Sequence, residues 1–169
     1  VLLIIVLTGA LLGAFNGLLS VTMKIPSTIS TLGSGMIMYG ISLGVNGSKS
    51  ISGVFASSVV DVFRTRILGL NITIYLLLLV GILAWIILEK TPFGKQVYAV
   101  GVSQRVAHLA GVRVNAVRFA SYVMAGVIVG IGAALNVGQS GNAYPDTGPT
   151  FLMPGLATVF LSITMHKMG

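Results

Sequence analysis

Chemistry needs side chains that ionise, attack or ligate, and this 169-residue chain has few of them: two histidines, three carboxylates and no cysteine. His108 and His166 stand far apart, and neither has a paired carboxylate, so neither is expected to hold a metal or move a proton. Asp61, Glu89 and Asp146 are too scattered to suggest a carboxylate pair. Without cysteine there is no thiolate ligand, thiol nucleophile or disulfide. There is also no Walker-type phosphate loop and no nucleophile-elbow serine. The sequence predicts no enzyme, no metal and no cofactor. Two kinds of polar residue remain. Asn16, Asn136 and Gln139, with Ser20 and Thr22, lie within apolar runs. They could line a path for a neutral polar solute, or bridge helices through hydrogen bonds worth about 0.6–2 kcal/mol each.

The second kind is a short polar stretch, Ser103-Gln104-Arg105-Val106-Ala107-His108-Leu109-Ala110-Gly111. Ser103 is a suitable N-cap, and Gly111 a natural stop. Val106, Leu109 and Ala110 recur at i, i+3 and i+4 and give the segment one apolar face, with Arg105 and His108 off that stripe. Such a helix either packs on its own bundle or docks a partner, and periodicity alone does not separate the two.

The elements that position these residues are membrane spans. Apolar residues make up 55% of the chain and charged residues 8%, about a third of what a water-facing surface carries. That excludes a soluble globular enzyme and a disordered chain. The fold class expected is all-α, a polytopic transmembrane helical bundle. About 20 apolar residues cross the ~30 Å hydrocarbon core. Five stretches fit: residues 1–23, 29–45, 70–88, 116–137 and 151–165, the last cut short. Residues 46–69 are too polar to cross, and Ile51, Val54, Phe55, Val59 and Val62 suit a short interfacial helix there. Gly9, Gly13 and Gly17 fall four apart on one helical face, as do Gly126, Gly130 and Ala134. Small-residue stripes of this kind let helix backbones approach closely in lipid. No ionisable side chain is expected at mid-bilayer, so any transport would take its energy from elsewhere.

Ten Lys and Arg against three Asp and Glu give a net charge of +7. No basic residues interleave with aromatics, so nucleic-acid binding is not expected. The excess instead sets sidedness. Lys24, Lys90, Lys95, Arg105, Arg113, Arg118 and Lys167 fall on one side, against Lys49, Arg64 and Arg66 on the other. The positive-inside rule makes the first side cytoplasmic, including the loop 89–115. The chain begins inside an apolar run at Val1 and stops at Gly169, and reads as a piece of a longer protein.

At this point a resemblance enters. The run TPFGKQVYAVGVSQRVAHLAGVRV is similar to the main cytoplasmic loop of permease subunits of ribose-type (simple-sugar) ABC importers. GALLGAFNGLLSVTMKIPSTISTLGSGMIMYGISLGVNG, SYVMAGVIVGIGAAL and FLMPGLATVFL resemble that family's helices in the same order. The likeness covers nearly the whole chain, about half of a family permease. Where the family usually shows Asn-Glu, this sequence has Ser103-Gln104. The resemblance implies a permease fragment in the bacterial inner membrane. It would pair with a second permease subunit, identical or not, and receive a simple sugar from an extracytoplasmic solute-binding protein. A cytoplasmic ABC ATPase would drive it, engaged by the coupling helix Ser103–Gly111. The related branched-chain amino-acid permeases, nucleoside permeases and a non-transporting membrane scaffold are the alternatives.

Overall fold

The computed structural model describes residues 1–47, 49–52, 63, 66–67 and 70–167. Among them are the helices α1 (Leu2–Thr22), α2 (Ser27–Asn46), α3 (Ile72–Lys90), α4 (Pro92–Val102), α5 (Gln104–Leu109), α6 (Val114–Ser140) and α7 (Thr147–Lys167). Four of these, α1, α2, α3 and α6, are long and apolar enough to cross a membrane. α7 is of similar length and carries Pro154 in its interior. The fold is all-helical apart from two-residue strands.

The organising contact is between α1 and α6, which pack antiparallel and far more extensively than any other described pair. The two small-residue stripes meet each other here. A methyl group added at Gly9 would lie 2.5 Å from the Gly126 carbonyl oxygen and 2.9 Å from the Gly130 Cα. One at Gly126 would lie 2.9 Å from the Gly13 Cα, and one at Gly130 would lie 3.0 Å from the Val6 Cα. Backbone touches backbone, leaving no room for a side chain. Dispersion and polar contacts across such a seam replace the hydrophobic drive that lipid cannot supply.

α2 is held to α1 by hydrogen bonds. Ser34 donates to Asn16 Oδ1 at 2.7 Å, and Ser30 donates to the same oxygen at 3.3 Å. Both serines are buried, one turn apart on one face of α2. α3 has no buried residue, and its Leu77, Leu78, Ile82 and Leu83 face outward as lipid contact requires. At its end Lys90 Nζ sits 5.8 Å from the centre of the Trp85 ring, an aromatic and cationic pair suited to the membrane interface.

On the side opposite the basic loops, β1 (Ile51–Ser52) pairs antiparallel with β4 (Asn142–Ala143), Ile51 opposite Ala143. This joins the segment after α2 to the segment after α6. β2 (Arg66–Ile67) pairs with β3 (Leu70–Asn71). Ile51 is therefore in a strand and not in an interfacial helix, because its backbone is taken up by a ladder that periodicity cannot register. Val54, Phe55, Val59 and Val62 lie outside the described residues. Phe63 is buried and its ring covers Gly138, where an added methyl would come within 2.8 Å of it.

Candidate functional site

The stretch read as a loop, residues 89–115, is largely helical. Thr91 makes the corner. Its hydroxyl donates to the Ile87 carbonyl at the end of α3 and accepts from the Gly94 amide at 3.4 Å, capping α4. Pro92 occupies the first turn of α4, where a missing amide hydrogen is no loss. Gly94 then lies against the backbone of Leu88, so closely that an added methyl would stand 2.7 Å from the Leu88 Cα. The Thr-Pro-Phe-Gly sequence is thus the chemistry of a sharp α3–α4 reversal.

α5 follows with a cap at each end. The Ser103 hydroxyl accepts from the Val106 amide at 3.4 Å. At the other end the Gly111 amide donates to the His108 carbonyl and the Val112 amide to the Ala107 carbonyl, both at 3.0 Å. That is a Schellman closure, and Gly111 supplies its left-handed residue with φ 80°. Val112 packs beside Ala107, the apolar contact that accompanies this closure.

The face α5 turns inward differs from the stripe read off the sequence. Ala107 is the buried residue, 3% exposed, in a small core with Val100 of α4 and Val117 of α6, flanked by Phe93, Val97 and Val114. Val106 is 64% exposed and Leu109 81% exposed, and Ala110 lies past the helix as its C-cap. The periodic pattern was real, but the smallest member of the helix is the one that fits against the bundle. Gln104, Arg105 and His108 are also exposed. They line a groove of about 610 Å³ with Arg113 and Asn115 at the foot of α6.

Beneath α5 a second hollow of about 260 Å³ lies between α4 and α6, with Gln104, Arg118 and Tyr122 in its wall. Tyr122 donates to the Ser20 hydroxyl at 2.9 Å, and Arg118 Nη2 donates to the same oxygen at 3.4 Å. Ser20, 1% exposed, is the most enclosed polar residue of α1. This cluster ties α1 to α6 directly below the α5 platform. Its members are 98 and 102 residues apart in sequence, and only the basic Arg118 at the edge of an apolar run signalled it.

The three residues considered for a solute path are not brought together. Asn16 has its amide oxygen occupied by Ser30 and Ser34 of α2. Asn136 lines a cavity of about 590 Å³ between α6 and α7 with Ala133, Tyr144 and Phe151. Gln139 is exposed one turn further along α6.

Apolar spans zipped through glycine, with a capped helix held outside the bundle on the basic side, define a polytopic membrane protein. The family model described as "Branched-chain amino acid transport system / permease component" matches residues 1–169, and the chain belongs to that family of membrane permease components. It is 32% identical over 166 residues to the autoinducer 2 import system permease protein LsrD of Escherichia coli (strain K12). The same figure holds for the proteins of that name from Shigella flexneri and Escherichia coli O157:H7. Each alignment covers 95% of this chain and 50% of the relative, so the chain spans about half the length of the curated relatives it matches. No solved structure gives a significant match.

Proposed function

We propose that this chain is part of the membrane-spanning permease of an ATP-binding-cassette importer, with α5 as the contact to a cytoplasmic ATPase subunit. The observation that carries the reading is the exposure of Val106 and Leu109 on a helix whose opposite side is fixed to the foot of α6. Two exposed apolar side chains on a doubly capped helix outside the long apolar spans suit a partner surface. A displacement of α5 would reach α6 through Val100, Ala107 and Val117, and α1 through Ser20, Tyr122 and the glycine seam. ATP binding could then bias the membrane helices only through contacts that differ between two states.

The other half of the reading is the solute. A simple, ribose-like sugar, delivered by an extracytoplasmic binding protein to a pair of permease subunits, is the cargo the sequence resemblance supports. Asn136 and Gln139 remain the proposed polar points of the path, and Asn16 would contribute through its hold on α2. The family's description names branched-chain amino acids, and the named relatives serve autoinducer 2 import. A ligand screen of the cognate binding protein against pentoses, hexoses and branched-chain amino acids decides between these classes. Binding of amino acids alone would replace the sugar.

The docking role is tested in the full-length permease by the double change Val106→Asp and Leu109→Asp. Membrane insertion should be retained, while co-purification of the ATPase subunit falls by at least about tenfold, as two desolvated apolar contacts become charged. Undiminished co-purification overturns the reading.

A further inference from the structure

The outward side of α5 is not only apolar. Arg105 and His108 stand beside Leu109, and across the groove Arg113 and Asn115 face them from the start of α6. Among the described residues no carboxylate pairs with Arg105, His108 or Arg113. The basic side as a whole is short of acid, since Glu89 is its one carboxylate against seven Lys and Arg. A groove lined by two guanidinium groups, one from α5 and one from the start of α6, with no internal counter-charge among the described residues, suits an anion. The planar fork of arginine matches a carboxylate bidentately, which an ammonium cannot do.

Two sources of anion lie near a membrane protein, acidic lipid headgroups and acidic side chains of a partner. The geometry favours the second. From Arg118 to Asn136 α6 rises about 27 Å at 1.5 Å per residue, close to the whole ~30 Å hydrocarbon thickness. Arg113 lies just before the 116–137 span, about 4–5 Å along the same rise and within headgroup reach, so the apolar side chains and not depth decide between the two sources. A headgroup satisfying the cations would also leave Val106 and Leu109 in water, whereas a protein surface covers both at once. The two apolar knobs and the cationic groove share one short helix, so a single partner surface must be complementary to the pair.

We infer that the groove between α5 and the foot of α6 receives an acidic side chain of the ATPase subunit, clamped between Arg105 and Arg113. This rests on the reading of α5 as the ATPase contact and adds to it the charge that the partner surface must carry. The apolar knobs supply the hold, while the groove supplies register and a salt-dependent encounter rate. The site has no redox or covalent step.

The experiment uses the full-length permease in nanodiscs and its ATPase subunit, with affinity measured from low to high salt. The double change Arg105→Gln and Arg113→Gln should weaken association about tenfold at low salt and flatten its salt dependence, because two exposed charge contacts are lost. Arg105→Lys with Arg113→Lys, which keeps the charge, should retain most of the salt dependence and so separates lost charge from a distorted helix. If the Gln pair changes neither affinity nor salt dependence while Val106→Asp with Leu109→Asp abolishes binding, the groove proposal falls and the docking reading stands. If neither pair weakens binding, the docking reading falls and takes this inference with it. If the Gln pair spares the ATPase but lowers the permease's affinity for phosphatidylglycerol vesicles, the groove is a lipid site and the proposal is overturned.

Discussion

Helices α1 and α6 meet backbone to backbone, whereas α2 and α7 face each other across a cavity of about 500 Å³ lined by Leu32, Met36, Tyr39, Leu152 and Met153. Both regions are rich in small residues, so composition does not distinguish them. What distinguishes them is whether glycine is answered by glycine. In the first region Gly9 and Gly13 lie against Gly126, and Gly130 lies against Val6. In the second, a methyl at Gly33, Gly35, Gly40 or Gly44 would meet no described atom within 4 Å. The same residue type is a structural necessity in one helix and only a permissive choice in its neighbour. The α1–α6 pair is the rod of the molecule, and the α5 platform is bolted to its end. The α2–α7 side has no such seam among the described residues, so relative movement there is expected to cost less than across α1–α6.

The contrast is tested most severely at Gly126. Gly126→Leu must force α1 away from α6, because its Cβ alone already overlaps the Gly13 Cα. A loss of at least about 3 kcal/mol is expected, beyond ordinary overpacking, since backbone and not a flexible side chain is displaced. The matched change Gly40→Leu should cost nothing in packing and gain up to about 1 kcal/mol, since a Cβ there meets no described atom and glycine is the poorer helix former. Thermal unfolding of the two variants in detergent checks both. A comparable loss at Gly40 would erase the distinction and mean that this face of α2 is covered in the assembled protein.

A smaller effect is expected at the corner that joins the membrane to the platform. Gly94→Ala places a methyl against the Leu88 carbonyl, and α3 and α4 must separate to admit it. The expected cost is about 1–3 kcal/mol. The change should also loosen α5 relative to the bundle, seen as faster amide exchange over Gln104–Leu109 in the Gly94→Ala protein. Unchanged exchange would mean that α5 is held by Ala107 and its neighbours alone.

How much of this was legible in the sequence follows from the range of each interaction. The stripes at Gly9-Gly13-Gly17 and Gly126-Gly130-Ala134 announced a close approach, since spacing along one helix is local information. That the two stripes meet each other is not local. The ends of α5 were readable because Ser103 and Gly111 act within one turn of themselves. Its buried residue was not, because Ala107 is chosen by the shapes of Val100 and Val117, which periodicity does not see. Ile51 fitted a helical pattern and lies in a strand, because its partner Ala143 is 92 positions away. Asn16 was readable as a polar point in a span, and its partners Ser30 and Ser34 decided that it bridges helices. Arg118 and Ser20 each stood out as polar residues at or within an apolar run, but nothing local joined the two across 98 positions.

The smallest effect is expected where the looser region is closed. Tyr39 of α2 donates to Asp146 Oδ1 at 2.6 Å, just before the start of α7 and 107 residues away in sequence. Asp146 is exposed, so the bond competes with water and contributes at most about 1 kcal/mol. Tyr39→Phe keeps the ring and removes only the donor. Global stability should hardly change, because the α1–α6 seam is untouched. The separation of α2 and α7 should change, since no other hydrogen bond between the described residues of the two helices bridges their cavity. The chain has no cysteine, so Ser42→Cys and Pro145→Cys, both lining that cavity, report it without background. Their cross-linking yield should fall several-fold on adding Tyr39→Phe, the ~1 kcal/mol of the lost bond expressed as a population. An undiminished yield would show that α2 and α7 are held by apolar contact as firmly as α1 and α6, and the two halves of the molecule would no longer differ in kind.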